Sequence, residues 1–259
     1  MLIASWNINS IRRRIQLVAR FVAEAAPDVL CLQEIKCRAG EFPAAAFKAM
    51  GLPHLHIVGQ KGWHGVAIAS RAPLEPLPDP AICPKGEARS AAARIEGVDI
   101  HSLYVPAGGD VADAEANPKF AHKLACLEQL RRLYGASAGP LLLAGDLNVA
   151  PGEHDVWSHR QLLDVVSHTP AETEALERAR SEAGLVDLAR QFRPEPEKLF
   201  TWWSYRSPDW TKSNRGRRLD HLWASAEVAA RAEGFEIAQR CRSWDGPSDH
   251  VPVLCRLRL

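Results

Sequence analysis

Six short apolar runs in the sequence each carry polar side chains at or near one end. These side chains are Asn7 and Asn9 after the first run, Glu34 after the second, Tyr104 after the third, Asp146 and Asn148 after the fourth, Asp220 beside the fifth, and Asp249 and His250 before the sixth. Runs of this length predict buried strands. Because burying acidic groups costs free energy unless they meet water, a cation or a substrate, their repetition predicts one shared site. Six unrelated turn residues are the alternative, since Asp and Asn are common where strands end.

Hydrophobic periodicity predicts many strands interrupted by a few helices. Strands are predicted near 2–6, 29–33, 55–58, 65–70, 91–95, 98–105, 141–144, 200–205, 218–224, 235–238 and 251–257, and helices over 11–25, 44–50, 121–133 and 172–183. Several neighbouring strands can form hairpins, so we expect an α/β protein with two packed sheets flanked by helices. A doubly wound dinucleotide fold would carry a GxGxxG turn after its first strand, and the sequence has none there.

Length and composition are those of an ordinary globular protein. The chain has 259 residues, of which 46% are hydrophobic and 24% charged, and it has no linker, so we expect one domain over 1–259. No apolar run approaches the length of a membrane span and no signal peptide precedes the first strand, which predicts a cytoplasmic protein. Nothing in the sequence pattern requires an oligomer, so we expect a monomer.

None of the six cysteines lies in a CxxC or CxxH motif. Their spacing argues against a structural zinc site, and all six cysteines fit a reducing compartment. Cys31 and Cys255 lie in apolar runs, as small core residues do.

A tryptophan-rich stretch near the C-terminus carries clustered cations. The net charge of the chain is only +1, so overall charge does not indicate an acidic partner. Within 200–223, however, Trp202, Trp203, Tyr205 and Trp210 are interleaved with Arg206, Lys212, Arg215, Arg217 and Arg218. Aromatic faces stack on bases for about 1–3 kcal/mol per base, while arginines pair with phosphates. The alternative is that the arginines are solvated and that one tryptophan only covers a sheet.

The polar strand ends carry the groups that phosphoryl transfer needs. Oxygen donors without cysteine suit a hard divalent ion such as Mg²⁺, which neutralises charge on a phosphoryl group. Asp146 is a suitable base for a water, and Asn148 can donate its amide to the developing charge. The adjacent Asp249 and His250 should diverge, the first toward metal or water and the second toward phosphate, with Asp220 orienting His250. A core histidine bonded to backbone is the alternative for His250.

Seven segments form an ordered set of motifs along essentially the whole chain. They are SWNINSIR at 5–12, PDVLCLQEIK at 27–36, QKG at 60–62 with GVA at 65–67, YVP at 104–106 with Gly108, GDLNVAP at 145–151, NRGRRLD at 214–220 and PSDHVP at 247–252. In residues and order this set resembles the exonuclease III family of apurinic/apyrimidinic (AP) endonucleases, within the endonuclease/exonuclease/phosphatase superfamily.

The resemblance implies a four-layered α/β sandwich with the site at one edge of two packed mixed β-sheets. It implies hydrolysis of the phosphodiester 5′ to an abasic site in double-stranded DNA, with 3′–5′ exonuclease and 3′-phosphatase action at blocked 3′ ends. The implied metal site holds Mg²⁺, or alternatively Mn²⁺, with Glu34 as principal ligand and Asn7, Asp146, Asn148, Asp249 and His250 around it. The implied catalytic groups are Tyr104, Asp146, Asn148, Asp220 and His250, and the implied DNA contacts are Asn9, Lys36, Trp202, Arg206, Arg215 and Arg218.

Two departures from the family pattern leave the balance of activities open. Ala107 stands where relatives commonly carry an amide, and the segment 152–169 carries Trp157, His159 and His168 in place of an Asn-rich stretch. Two other functions are therefore kept as alternatives. One is a phosphodiesterase or phosphatase acting on RNA or on a non-nucleic phosphate ester, and the other is a non-catalytic relative that only binds nucleic acid.

Overall fold

The computed structural model describes residues 1–135, 139–207 and 209–258. The strands in these ranges are β1 (Leu2–Asn7), β2 (Val29–Gln33), β3 (His54–Val58), β4 (Val66–Ser70), β5 (Glu75–Pro76), β6 (Ser90–Ile95), β7 (Val98–Tyr104), β8 (Leu141–Asp146), β9 (Val186–Asp187), β10 (Asp220–Ala224), β11 (Ala232–Ile237) and β12 (Val253–Leu257). They form two six-stranded sheets with the orders β11-β12-β1-β2-β4-β3 and β5-β6-β7-β8-β10-β9. Each sheet contains one parallel pair, β1 with β2 and β7 with β8, among antiparallel neighbours.

Helices connect the strands on the outside of both sheets. They are α1 (Ile11–Ala25), α2 (Ala44–Ala49), α3 (Pro118–Tyr134), α4 (His159–Leu162), α5 (Pro170–Glu182), α6 (Leu188–Phe192), α7 (Trp210–Ser213) and α8 (Ala226–Ala229). The helix predicted over 121–133 begins earlier because Asn117 caps it, accepting from the Lys119 amide at 3.0 Å, and Pro118 occupies the first turn. None of the helices in the described ranges is long and apolar enough to cross a membrane.

Alternation of side chains along the strands builds the layers. On β1, Ile3 packs into the core between the two sheets, whereas Ala4 and Trp6 pack into the core that also contains Val18 and Phe21 of α1. The second sheet has its own outer core, which includes residues of α3 and α5. The resulting order of helix, sheet, sheet and helix confirms the predicted four-layered α/β sandwich.

The strand register brings the polar strand ends to one edge of both sheets. In the parallel pair β7–β8, Tyr104 lies opposite Asp146 at the carboxyl ends of the two strands. The antiparallel strand β10 starts at the same place, with Asp220 opposite Asp146. In the other sheet, Asn7 lies opposite Gln33, one residue before Glu34. Both parallel pairs therefore end where the predicted site residues lie.

The strand predicted over 200–205 is wrong. Trp202 forms only isolated bridges, to Arg217 on one side and to His250 on the other. The backbone of this segment divides its hydrogen bonds between the chain entering β10 and the chain entering β12, so it connects the edges of the two sheets instead of joining a ladder. The short helices α4, α6, α7 and α8 were not predicted, since four or five residues are too few to show a helical period.

We expect Gly145→Ala to destabilise the protein by about 1–3 kcal/mol, because a methyl group would overpack the β7–β8 contact. A Cβ atom at Gly145 would lie 2.0 Å from the carbonyl oxygen of Leu103, its cross-strand partner. Gly234→Ala in β11 is the control, because a Cβ there meets no atom within 4 Å. Urea unfolding of both variants measures the difference, and equal free energies of unfolding would contradict this account.

Candidate active site

Asp146 is the centre of the site. Its carboxylate is 0% exposed at the end of β8 and accepts hydrogen bonds from Asn7 Nδ2 at 2.8 Å and Asn148 Nδ2 at 3.1 Å. Asn148 adopts a left-handed backbone conformation (φ 53°), and its backbone amide donates to Asp146 Oδ1 at 2.9 Å. The turn after β8, rather than extended alternation, therefore brings Asp146 and Asn148 together. The three bonds offset part of the cost of burying this carboxylate.

Glu34 lies beside Asp146 and is shared by both sheets. Asn7 Nδ2 donates to Glu34 Oε1 at 2.9 Å, and the Tyr104 hydroxyl donates to the same oxygen at 2.9 Å. The second oxygen, Oε2, pairs with Lys36 Nζ at 2.8 Å, and the Glu34 side chain is 18% exposed. The side-chain amide of Asn7 thus holds the Glu34 and Asp146 carboxylates next to each other, and Glu34 is the one that is partly exposed.

Asp249 anchors a second branch of the network. Its Oδ1 accepts from Asn9 Nδ2 at 3.0 Å and its Oδ2 accepts from Trp202 Nε1 at 2.9 Å. Lys36 Nζ donates to Asn9 Oδ1 at 2.6 Å, which connects this branch to Glu34. Predicted metal-binding and DNA-binding residues therefore belong to one continuous set of hydrogen bonds.

His250 and Asp220 form a buried pair on the other side of Asp146. His250 Nδ1 lies 2.8 Å from Asp220 Oδ2, which also accepts from the Thr201 hydroxyl at 2.6 Å. His250 Nε2 lies 3.6 Å from Asp146 Oδ2. The side chains of Asp249 and His250 diverge, and Asp220 is the partner that the sequence suggested for His250. The ring nitrogens of His250 face two carboxylates, so the alternative of a core histidine bonded to backbone is wrong.

The electrostatics of this pair place a proton on the imidazole. Burial opposes the charged imidazolium, but Asp220 and Asp146 outweigh it and raise the pKa of His250 to about 10. Burial raises the pKa of Asp146 to about 7, although His250 works in the opposite direction. Burial and the neighbouring Glu34 keep the Tyr104 phenol neutral by raising its pKa well above 10.0. A pKa near neutrality suits a carboxylate that accepts a proton from water.

In metal-free protein we expect both ring nitrogens of His250 to stay protonated at about pH 8. Its folded pKa exceeds the unfolded value of about 6.5, so the ion pair stabilises the fold fully below about pH 6.5. That stabilisation is lost as the pH rises through about 10. Nitrogen-15 NMR of the imidazoles tests this, with His221 as internal control, because burial lowers its pKa to about 4. A neutral His250 ring at that pH would refute the assignment.

A cleft of about 670 Å³ opens over these groups. Its polar floor includes Glu34, Asn148 and His250, and its apolar side includes Trp202 and Trp157. Further lining residues are Ala107, Gly109, Asp110, Leu162, Val165, Val166, Ser167, Ser204, Arg206, Arg215, Arg217, Leu219 and Asp249. Trp203 is 1% exposed and packs into the core beside Phe200, so it is the tryptophan that covers a sheet.

The arginines predicted to contact DNA divide into two kinds. Arg206 and Arg215 are exposed and line the cleft, and Arg215 stacks over Trp157 at 4.7 Å from the ring centroid. Arg218 is 1% exposed and pairs with Asp155 and Asp187, so its prediction as a DNA contact is corrected: the side chain has no free face for a phosphate.

Two residues near the site, Arg89 and Thr201, were missed by the sequence reasoning, and Arg217 was named only as one of the clustered cations. Arg217 lines the cleft, stacks over Trp202 at 5.4 Å and donates to the Val166 carbonyl. Arg89 covers the Tyr104 ring at 4.8 Å, and Thr201 holds Asp220. For Arg217 the available signal was its place between Gly216 and Arg218 in an alternating stretch. Arg89 and Thr201 carry no local signal, because their partners are distant in the chain.

We expect Arg218→Ala to reduce the stability of the fold and Arg215→Ala to weaken the binding of DNA. Removing Arg218 leaves buried Asp155 with less compensation and should lower the free energy of unfolding by about 3–5 kcal/mol. Arg215 is exposed, so its loss should leave stability unchanged and weaken binding to DNA, reducing the slope of log K against log salt by about 1. Urea unfolding and binding titrations at several salt concentrations measure both. An unstable Arg215→Ala or a stable Arg218→Ala would reverse this assignment.

The donor set of the cleft fits a hard divalent cation. Carboxylate oxygens of Glu34 and Asp146 lie next to the amide groups of Asn7 and Asn148, and Asp249 lines the same cleft beside Asn9. No thiol lines the cleft in the part of the chain that the structure describes. His250 fits a hydrogen-bond donor better than a ligand of a hard cation, since such an ion prefers oxygen to imidazole nitrogen.

Two packed sheets with a carboxylate-rich cleft, an Asp–His pair and cleft-lining arginines at one edge define a hydrolase of phosphate esters. Residues 4–250 match the Endonuclease/Exonuclease/phosphatase family, and the chain belongs to this family.

Similarity to individual proteins confirms the resemblance read from the motifs. The chain is 29% identical to exodeoxyribonuclease III of Haemophilus influenzae, over 96% of this chain and 97% of that protein. Its structure is similar to an AP endonuclease from Archaeoglobus fulgidus, with TM-score 0.91, 32% identity and complete coverage of both chains. It is also similar to the 3′–5′ exonuclease NExo from Neisseria meningitidis, with TM-score 0.89, 31% identity and complete coverage of both.

Proposed function

We propose that the protein is a Mg²⁺-dependent DNA repair nuclease that hydrolyses the phosphodiester 5′ to abasic sites in double-stranded DNA and also trims blocked 3′ ends. The observation that carries this proposal is the convergence of Glu34 and His250 on one cleft beside Trp202, with the Asp146 carboxylate buried directly behind them. The relatives support it, since they are named as an exodeoxyribonuclease, an AP endonuclease and a 3′–5′ exonuclease. A related Neisseria structure is described as a 3′ phosphatase bound to a product DNA hairpin.

Glu34 would be the principal holder of the cation, together with Asn7, Asp146, Asn148 and Asp249, while His250 serves as a hydrogen-bond donor. A bound Mg²⁺, or Mn²⁺ in its place, supplies neutralisation of the phosphoryl charge and stabilisation of the departing oxygen. These oxygen donors are close together and partly open to the cleft, as such an ion requires.

The protein's own groups divide the remaining chemistry. Asp146 takes a proton from the attacking water, whose oxygen bonds to phosphorus as the bond to the 3′ oxygen breaks. The departing 3′ oxygen takes a proton from solvent and becomes a 3′-hydroxyl. His250 donates a hydrogen bond from Nε2–H to a phosphate oxygen, and Asp220 fixes the orientation of the ring through Nδ1. The neutral Tyr104 hydroxyl, on leaving Glu34, and the Asn148 amide, on leaving Asp146, would donate to the developing charge.

The apolar wall of the cleft accounts for the substrate. Trp202, Trp157, Leu162 and Leu219 form a surface that suits a sugar without a base. Extruding an abasic nucleotide costs less than extruding a paired one, because no base pairing is lost. Arg206, Arg215 and Lys36, with Asn9, hold the DNA backbone around this wall.

Trimming of 3′ ends uses the same cleft. The segment 152–169 contributes to this cleft and sets the balance between 3′-end trimming and cleavage at abasic sites. This segment supplies Trp157, Val166 and Ser167 to the cleft, while His168 is buried and bonded to the Ala150 carbonyl at 2.7 Å. Ala107 has no side-chain amide to donate to phosphate, and its carbonyl accepts from buried Lys123. Rates on an abasic duplex, a 3′-phosphate duplex and an undamaged blunt duplex measure the balance.

The biological setting is part of the same proposal. Residues 1–259 act as one domain, because both sheets contribute residues to one cleft, and as a monomer, since nothing in the sequence pattern requires an oligomer. A cytoplasmic location is supported by the relatives from bacteria, in which chromosomal DNA lies in that compartment. Light scattering of the purified protein tests the monomer.

We expect Asp146→Asn to lower cleavage of an abasic duplex by about 10²–10⁴-fold while binding survives, because the amide cannot accept the proton of water. The exposed Asp245→Asn is the matched control and should cleave normally. Cleavage and binding are measured with Mg²⁺, with Mn²⁺ and after chelation.

Three results would overturn the proposal in different ways. Unchanged cleavage by the Asp146→Asn variant would assign the proton transfer to another group. Absence of cleavage by the wild-type protein with either metal would favour a relative that only binds nucleic acid. Faster turnover of RNA or of a non-nucleic phosphate ester would change the substrate.

A further inference from the structure

A second cluster of metal-ligating side chains lies outside the cleft. Cys83, in the loop between β5 and β6, meets His122 and Cys126 on α3, and the three ligand atoms lie within 4.8 Å of one another. Cys83 Sγ is 3.2 Å from His122 Nε2. His122 and Cys126 are four residues apart on a helix and therefore lie on the same face.

The donor chemistry of this cluster selects a different ion from that of the cleft. Two thiols and one imidazole suit zinc, whereas Mg²⁺ prefers oxygen. With bonds of about 2.3 Å to sulfur and 2.0–2.1 Å to nitrogen, tetrahedral geometry separates ligand atoms by roughly 3.5–3.8 Å. Cys83 Sγ and His122 Nε2 are 3.2 Å apart and no two of the three ligand atoms are more than 4.8 Å apart, so shifts of about 1 Å or less bring the three atoms to these separations.

The surroundings favour binding over a chance contact. Cys83 is 7% exposed and Cys126 0% exposed, and both pack beside Leu127 and Leu130 of α3. The half-buried imidazole of His122 and the flanking Glu87, whose Oε2 is 3.8 Å from Cys83 Sγ, leave one side of the cluster accessible to an incoming ion.

We propose that Cys83, His122 and Cys126 form a zinc site that fastens the loop between β5 and β6 to α3. Binding of Zn²⁺ would form two zinc–sulfur bonds and one zinc–nitrogen bond, with a water as the fourth ligand, and would release the two thiol protons to solvent. The spacing rule missed this site because Cys83 and His122 are 39 positions apart in the chain and meet only in the fold.

The fastened loop leads to the wall of the active-site cleft. Glu87 pairs with Arg89 at 2.6 Å, and the Arg89 guanidinium covers the ring of Tyr104. Zinc therefore holds the segment that carries Arg89 and so supports the position of Tyr104, without touching the reacting groups. Its role is structural and is independent of which phosphate ester the cleft hydrolyses.

Cobalt titration of reduced, metal-free protein tests the site, with excess Mg²⁺ present to occupy the oxygen donors of the cleft. One equivalent of Co²⁺ should produce thiolate-to-cobalt charge-transfer absorption and the visible bands of tetrahedral cobalt, and Zn²⁺ should abolish both. Zinc should also raise the melting temperature by about 5 °C when present at a hundredfold excess over its dissociation constant.

The variants separate this site from other thiols. Cys126→Ser should lose the charge-transfer band and the thermal shift, and His122→Ala should weaken binding at least tenfold at a half-buried position that tolerates truncation. Cys241→Ser is the matched control, because Cys241 is equally buried but packs in the core beside α1. No thiolate band in the wild-type protein, or a band that persists in Cys126→Ser and His122→Ala, would overturn the proposal.

Discussion

The burial of one carboxylate, that of Asp146, dictates how the two sheets meet. A buried charge is tolerated only when hydrogen-bond donors and opposite charge surround it. Asn7 from the first sheet, Asn148 from the turn after β8, and His250 from the chain entering β12 supply them. Because these groups come from both sheets, a change in sheet packing or in register by one residue would leave Asp146 uncompensated.

A second buried charge fixes the turn that carries Asn148. Lys123 is fully buried on α3, and its ammonium group donates to the Asn148 carbonyl at 2.7 Å and pairs with Glu172 of α5. Burial lowers the pKa of Lys123, and Glu172 opposes that effect. Such a pair adds little net stability, but losing one partner is costly, so it specifies the position of α3 and α5 against the turn. The outer helices thus act on the geometry of the cleft.

The sequence predicted the residues of the cleft better than the contacts of each one. Apolar runs that end in Asn7, Glu34 and Asp146 indicate the ends of strands, and the carboxyl ends of two paired parallel strands lie at the same edge of a sheet. The contacts that the sequence could not predict are made with residues that lie far away in the chain. Arg218 looks like its exposed neighbour Arg215 until Asp155, 63 positions away, is seen to pair with it. The segment 200–205 has the composition of a strand, yet its backbone partners belong to two different sheets.

The same cleft must attract a phosphodiester although three carboxylates approach it. Lys36 offsets one of them, through its contact with Glu34 at 2.8 Å, and Arg206 and Arg215 add positive charge among the residues that line the cleft. Phosphate binding beside Asp146 and Asp249 still needs a cation, because like charges at a few ångströms repel strongly where water is scarce. A net charge of +1 is therefore compatible with DNA binding: affinity depends on these local cations and on the bound ion, not on the charge of the whole chain.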